Sequence, residues 1–386
     1  MRTAQIYSAS ALLVGGALAA RPFLNEPDTG IDQALKDVPV GQLPDLKDMV
    51  GLPDFDWAAR HYLPIENYTY YRNGAGGEWS YMANLEVFQQ YHFRPRVLVD
   101  ITNVEKTLPT TMLGYNFSAP FYISPCARAE RGNPGAELNL VKGAAEGDIL
   151  YIPSEYSAYT MEQIYEARAE GQVLWQQVYL SGNDTANAQV LARAEKNGAK
   201  AIVFTVDSAA GSIRQRAARY GVGSANSQFQ PFTWDLYHRL TNMTDLPIVL
   251  KGISNYEDAV LAVKHGVPAI ILSNHGGRQL DTTQTSLETA LEIFNEAPEV
   301  FKKIEVYADG GVRYGADVLK LLALGVRAVG LGRPFMLANV FGVDGVTRVV
   351  ELMKQEIAVS AGNLGLADLK NITSHYVRWT SRGYSG

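Results

Sequence analysis

The chain has 386 residues, 47% hydrophobic and 19% charged, enough to bury a large core. Its 34 Lys+Arg against 40 Asp+Glu leave a net charge of −6 with no polybasic run, which argues against nucleic acid or an anionic membrane as partner. A single cysteine, Cys126, excludes intrachain disulfides and thiolate metal clusters; it reads as a small hydrophobe, and no metal is expected.

The first 20 residues, "MRTAQIYSASALLVGGALAA", combine Arg2, an apolar stretch and a small-residue "ALA" end. That is the pattern of a secretory signal, too short and Gly-interrupted for a stable membrane span. Five Asn-x-Ser/Thr sequons, at Asn67, Asn116, Asn183, Asn242 and Asn371, support entry into the secretory pathway and a glycoprotein. A mitochondrial leader is the alternative. Residues 21–60 are Pro- and Asp-rich with weak periodicity and read as an arm or pro-segment, so the globular part is expected over 61–386.

From there eight short apolar runs alternate with amphipathic stretches. The runs are "PFYIS" (120–124), "ILYIP" (149–153), "VLWQQVYL" (173–180), "AIVFTVD" (201–207), "LPIVLKG" (246–252), "AIILSN" (269–274), "IEVYADG" (304–310) and "AVGLG" (328–332). Near-continuous apolar runs are the signature of parallel strands buried on both faces. Stretches such as "TANAQVLARAEKNGA" and "SNYEDAVLAVKHGV" end in Gly, as helices often do. Eight strand–helix units in series predict an α/β fold, a closed (β/α)8 TIM barrel with an N-terminal extension.

Each run ends in residues a plain core would not choose: Ser124 and Pro125, Ser154, Gln177 and Tyr179, Thr205 and Asp207, Lys251, Asn274 and His275, Asp309, and Gly332 with Arg333. In a barrel those ends share one rim, where catalytic groups gather. "LSNHGGRQLD" (272–281) sets His275 and Arg278 on a glycine hinge there. "ADGGVRYG" (308–315) and "GLGRP" (330–334) put glycines, Arg313 and Arg333 after strands seven and eight, the phosphate grip of this architecture. "GVGSAN" (221–226) is an incomplete dinucleotide fingerprint. A histidine base, an arginine for a carboxylate and a phosphate-anchored redox cofactor suggest oxidation of a small acid. The terminal-phosphate grip without a dinucleotide motif favours FMN.

"SNHGGRQLD", with "FRPRVLVDIT" (93–102), "TVDS" (205–208), "LKG" (250–252), "DGGVRYG" (309–315) and "GLGRP", resembles the FMN-dependent α-hydroxy-acid oxidase/dehydrogenase family over about residues 62–379. That family includes glycolate oxidase, lactate oxidase and the flavin domain of flavocytochrome b2. The resemblance implies His275 as general base, oriented by Asp207, with Tyr179 contacting the substrate hydroxyl. It implies Arg278 and Tyr70 on the substrate carboxylate, assisted by Arg214, for which Arg216 competes. Pro125, Cys126, Ala127, Ser154, Gln177, Thr205, Lys251 and Ser273 would line FMN; Asp309, Gly311, Arg313, Gly332 and Arg333 would hold its ribityl and phosphate. A homotetramer is implied too. Tyr68 and Tyr71 compete with Tyr70, and Asp207 has the alternative of capping the next helix.

The expected reaction is oxidation of an L-2-hydroxy acid to the 2-oxo acid. Molecular oxygen is the expected acceptor, giving hydrogen peroxide, since no haem domain is seen. A quinone or other acceptor, or lactate 2-monooxygenase-like decarboxylation, are alternatives. An isomerase on the same barrel needs no arginine beside the histidine, and a non-catalytic flavin-binding protein would not need His275, Arg278, Lys251 and Asp207 intact. Departures from the family gather around the substrate: Tyr156 where glycolate oxidase has tryptophan, an extra residue near Glu155, small Ala209, Ala210 and Gly211, and a short loop over 217–233. They predict a wider pocket and leave the substrate open.

Overall fold

The computed structural model describes residues 30–223 and 229–380, so the leader and the first part of the arm lie outside the described residues. Eight parallel strands, β1 (Phe121–Ile123), β2 (Leu150–Tyr151), β3 (Gln176–Val178), β4 (Ile202–Thr205), β5 (Ile248–Ile253), β6 (Ala269–Leu272), β7 (Glu305–Asp309) and β8 (Ala328–Leu331), fall within the eight expected runs to within a residue. The sheet runs β2-β1-β8-β7-β6-β5-β4-β3. Its two ends meet through a parallel bridge between Tyr151 and Leu174 and bonds from Trp175 N to Tyr151 O (3.4 Å) and Gln177 N to Pro153 O (3.0 Å), which close the barrel.

Alternation along the strands fills both sides. Val203, Val249, Ala269, Ile271, Tyr307 and Ala328 point into the barrel, where Tyr122 and Trp175 join them. Their neighbours Ile202, Phe204, Ile270, Leu272, Val306 and Val329 pack outward under the helices. A period of two with both faces apolar is the physical origin of the near-continuous runs. Met112 and Phe117, from a hairpin pairing Thr110–Met112 with Tyr115–Phe117, plug the end opposite the site.

The expected boundary at 60/61 is crossed by a helix, Leu52–Tyr62. Asp54 Oδ2 accepts from the backbone N of Val50 (2.8 Å) and Gly51 (2.9 Å), satisfying donors at its start. Leu52, Phe55, Ala58 and Ala59 are buried in the main core, and Phe55 meets Phe341 edge-on at 6.0 Å. Residues from Leu52 onward are therefore part of the globular body rather than a draped arm. The helices Ile65–Arg72 and Trp79–Glu86 follow and bring the loop between them over the barrel rim.

Candidate active site

The C-terminal strand ends open into one cavity of about 920 Å³, within the range of small-molecule and cofactor sites. Pro125, Cys126, Ala127, Ser154, Gln177, Tyr179, Thr205, Lys251, His275, Arg278, Asp309, Gly311, Arg313, Gly332 and Arg333 line it, together with Tyr70 and Arg214. Asp207 and Ser273 do not; they sit directly behind it, bonded to groups that do. Cys126 is half-buried on the cavity wall rather than in the core.

His275 opens a turn of three successive left-handed residues, with φ of 59°, 64° and 72° at His275, Gly276 and Gly277. Only glycine accepts that backbone freely, so strain is concentrated at the histidine. Its Nδ1 lies 2.8 Å from Asp207 Oδ1, and its backbone N donates to Ser273 Oγ at 3.0 Å. Asp207 is thereby committed to the imidazole rather than to a helix cap. Burial pushes the Asp207 carboxyl up, but His275 and Lys251 outweigh it and hold it below its ordinary value. Burial lowers the His275 imidazole, only partly offset by Asp207. The pair is then a carboxylate and a neutral imidazole protonated on Nδ1, which leaves Nε2 with its lone pair.

Gly252 is what allows this approach. At φ 110° it passes so close that a Cβ would fall 2.5 Å from Asp207 Cβ and Cγ.

The tyrosine run resolves into three roles. Tyr71 Oη donates to Arg128 O (2.8 Å) and Tyr68 Oη donates to Asp56, whereas the Tyr70 hydroxyl has no protein partner among the described residues. Arg278 lies 5.3 Å from the Tyr70 ring centre and donates from Nη1 to Tyr70 O (2.8 Å) and Tyr71 O (3.2 Å). Arg214 donates from Nε to Arg278 O (2.8 Å) and from Nη2 to Gln279 Oε1 (2.7 Å), bracing the clamp from behind. Arg216 is excluded, because both its ends pair with Glu78 at 2.9 Å.

Beneath lies a buried polar chain. Lys251 Nζ donates to Ser273 Oγ (3.0 Å), which donates to Asp309 Oδ1 (2.6 Å); Ser124 Oγ donates to Oδ2 (3.2 Å). Gln177 is fixed by accepting from Ser154 Oγ (2.9 Å) and donating to Thr205 Oγ1 (3.0 Å).

Whether these residues suit a flavin phosphate is a question of charge. Arg313 is buried, donates from Nη1 to the carbonyl of Val312 at 2.9 Å, and has no ion pair among the described residues. Arg214 is pushed down to about 9 and Arg333 to about 10, in both cases by burial and then by Arg278. Guanidiniums do not deprotonate in proteins, so this crowding expresses a cavity short of anions. A phosphate and a carboxylate would supply them, and the donor set fits FMN. Two details differ from the expected grip. The Arg313 and Tyr314 N–H groups are already taken by Asp317 Oδ2, each at 3.0 Å. The Arg333 side chain donates to the carbonyls of Tyr71, Gly276 and Asn73 at 2.7, 3.0 and 2.9 Å, tying loops together.

A model of the family described as FMN-dependent dehydrogenase matches residues 59–227 and 223–379. The chain belongs to the FMN-dependent dehydrogenase family. It is 37% identical to 2-hydroxyacid oxidase 2 of Rattus norvegicus, over 80% of this chain and 92% of that one. It is 34% identical to L-lactate dehydrogenase (cytochrome) of Wickerhamomyces anomalus, over 86% of this chain and 61% of that one, and so spans about three fifths of that relative's length. The recombinant flavin-binding domain of baker's yeast flavocytochrome b2 superposes with a TM-score of 0.84 at 33% identity, over 92% of this chain and 93% of that one. As a family member the chain is an FMN protein on a (β/α)8 barrel.

Several residues escaped sequence reading. Asn84 and Asn274 exchange amide bonds (2.8 and 2.9 Å), and Asp281 accepts from Gly77 N (2.8 Å) and Ser80 N (2.9 Å). These hold the helix Trp79–Glu86 against the histidine turn. Ala209, Ala210 and Gly211, expected to widen the pocket, do not line it; Glu155 and Tyr156 do. Part of the loop 217–233 lies outside the described residues, while Gly221 and Gly223 reach the cavity mouth.

Proposed function

We propose that this chain oxidises an L-2-hydroxy acid to the 2-oxo acid, with molecular oxygen as acceptor and hydrogen peroxide as product. One observation carries the reading: a histidine held by Asp207 at 2.8 Å, and an arginine set against Tyr70, face the same cavity as the anion-poor cradle of Lys251, Asp309 and Arg313. Arg278 would take the substrate carboxylate, its guanidinium fork matching two oxygens, with Tyr70 adding a hydroxyl. Tyr179, whose phenol burial raises well above its ordinary value, stays protonated and would donate to the substrate hydroxyl. His275 Nε2 would accept a proton from the substrate, and Asp207 would stabilise the resulting imidazolium. Bound FMN supplies the two-electron acceptor that side chains lack. Gln177, Thr205 and Ser154 would face its ring, and Gly311, Arg313 and Gly332 its phosphate.

The test is visible colour. The purified yellow protein should bleach anaerobically with L-lactate and not with the D-isomer, then regain colour in air with stoichiometric peroxide. Bleaching that air does not reverse, but a quinone or cytochrome does, would replace the oxygen assignment. No bleaching with any L-2-hydroxy acid would refute the reaction.

Secretory-pathway entry is part of the same proposal. Asn116, Asn183, Asn242 and Asn371 are exposed, whereas Asn67 is half-buried and accepts from Arg131 at 3.2 Å. Glycosidase treatment of native protein should lower its mass; no change would end this part.

A further inference from the structure

We propose that Glu155, with Tyr156, makes the substrate side-chain subsite select 2-hydroxy acids carrying a hydrogen-bond donor, a hydroxyl or an ammonium, on the third carbon. The proposal rests on the 2-hydroxy-acid reading and sharpens it.

Glu155 follows β2 and lines the cavity beside Tyr179. Its Oε2 accepts from Tyr179 N at 2.5 Å; Oε1 has no protein hydrogen bond, and the carboxylate no ion pair, among the described residues. Burial raises its carboxyl above the ordinary value, only partly countered by the Tyr179 N–H and by Arg193. Of the other carboxylates at the cavity, Asp309 is committed through both oxygens to Lys251 and two serines, whereas Glu130 pairs with Arg128 through Oε1 at 2.6 Å and keeps Oε2 buried without a partner among the described residues. Of the two with an oxygen left over, Glu155 is the one bonded to Tyr179.

The wall that carries it is fixed. Glu137 is fully buried and its carboxylate accepts from Ala129 N (3.0 Å), Ala158 N (3.0 Å) and Tyr159 N (3.3 Å), stapling the segment after β2 to the loop after β1. Ser157 Oγ donates to Ser154 O at 2.7 Å, and Arg128 N to Tyr156 O at 3.3 Å. The Tyr156 ring stacks on Tyr179, centres 5.0 Å apart and planes 23° apart. The group next to the proposed hydroxyl site is thus an aromatic shelf backed by a preorganised carboxylate. A methyl or longer alkyl side chain there would cover Oε1, strip its water and offer nothing in return. A hydroxyl or ammonium would supply the missing partner. Sites built to bond a donor reject the analogue lacking it far more strongly than apolar pockets discriminate by size.

The holoenzyme is tested by anaerobic flavin reduction with L-lactate (methyl), L-glycerate (hydroxymethyl) and L-isoserine (ammoniomethyl). In the wild type kcat/KM for glycerate or isoserine should exceed that for lactate by about ten- to a hundredfold. The better of the two identifies the donor. Glu155→Leu should reverse the order while lactate still reduces the flavin, and Glu155→Gln, which keeps the volume and an acceptor, should fall between. If Glu155→Leu loses its FMN, the Gln variant alone decides, by a reduced donor-to-lactate ratio. A wild type that prefers lactate, or ratios unmoved by either variant, overturns the subsite and leaves the oxidation reading intact. Bound flavin that none of the three acids reduces overturns both.

Discussion

Asp207→Asn isolates the electrostatic part of the proposed base. The asparagine oxygen can still accept from His275 Nδ1, so the 2.8 Å contact and the tautomer can survive; what goes is the charge. With a neutral imidazole that loss is small. Once Nε2 carries a proton, a carboxylate with its charge centre about 4 Å away at an effective dielectric near 20 is worth roughly 4 kcal/mol. Part of this returns through rearranged dipoles, leaving about 3–4 kcal/mol, or two to three orders of magnitude in rate. Asp207 does not line the cavity, so FMN content should be unchanged. The assay is anaerobic stopped-flow reduction at saturating substrate, normalised to bound flavin. The pH profile supplies a second readout. His275 already lies below its ordinary value of about 6.5, so the acid limb of kcat/KM should lie below that in the wild type. The variant's limb should lie lower still, because the anion that raises His275 is gone. A drop of less than about fivefold with flavin retained, or an acid limb that does not move, would refute the pairing as the source of base strength.

Arg278→Lys keeps the charge but loses the fork, and about one charge-assisted bond of 1.5–3 kcal/mol should vanish; KM should rise at least tenfold with little change in limiting reduction rate, and an unchanged KM would remove the clamp. Gly252→Ala places a Cβ 2.5 Å from Asp207 at a backbone φ of 110°, so a thermal melt should show about 1–3 kcal/mol of destabilisation and slower reduction; wild-type melting and rate would show that the contact relaxes freely. Arg313→Ala removes a buried guanidinium that has no ion pair among the described residues; if phosphate is its counterpart, FMN should dissociate at least tenfold more readily, whereas tighter or equal retention would assign the arginine elsewhere.

The strands were legible because their cause is local: a run such as "AIILSN" needs only its own residues to show that both faces are buried. The rim followed, since barrel closure carries every strand end to one side whatever the loops do. The staples behind the rim have no such signature. Asn84 meets Asn274 across 190 positions and Arg333 reaches the carbonyl of Tyr71 across 262, and a lone asparagine or arginine in sequence says nothing about which backbone it will bind. Arg216 shows the same limit from the other side: it stands two residues from Arg214, equally suited to an anion, until Glu78 captures it.

Arginine near a phosphate motif was therefore the weakest kind of inference, because burial compels a guanidinium to find acceptors and carbonyls serve as well as anions. What separates ligand-facing from structural arginines here is the accounting of donors. Arg333 gives three bonds to two segments, the end of the helix Ile65–Arg72 and the histidine turn, and Arg216 gives two to one carboxylate. Arg278 spends one nitrogen on two carbonyls, which leaves Nε and Nη2 without a protein acceptor among the described residues on a side chain that lines the cavity. That remainder, rather than the presence of arginine at the position, is what makes a carboxylate its expected counterpart.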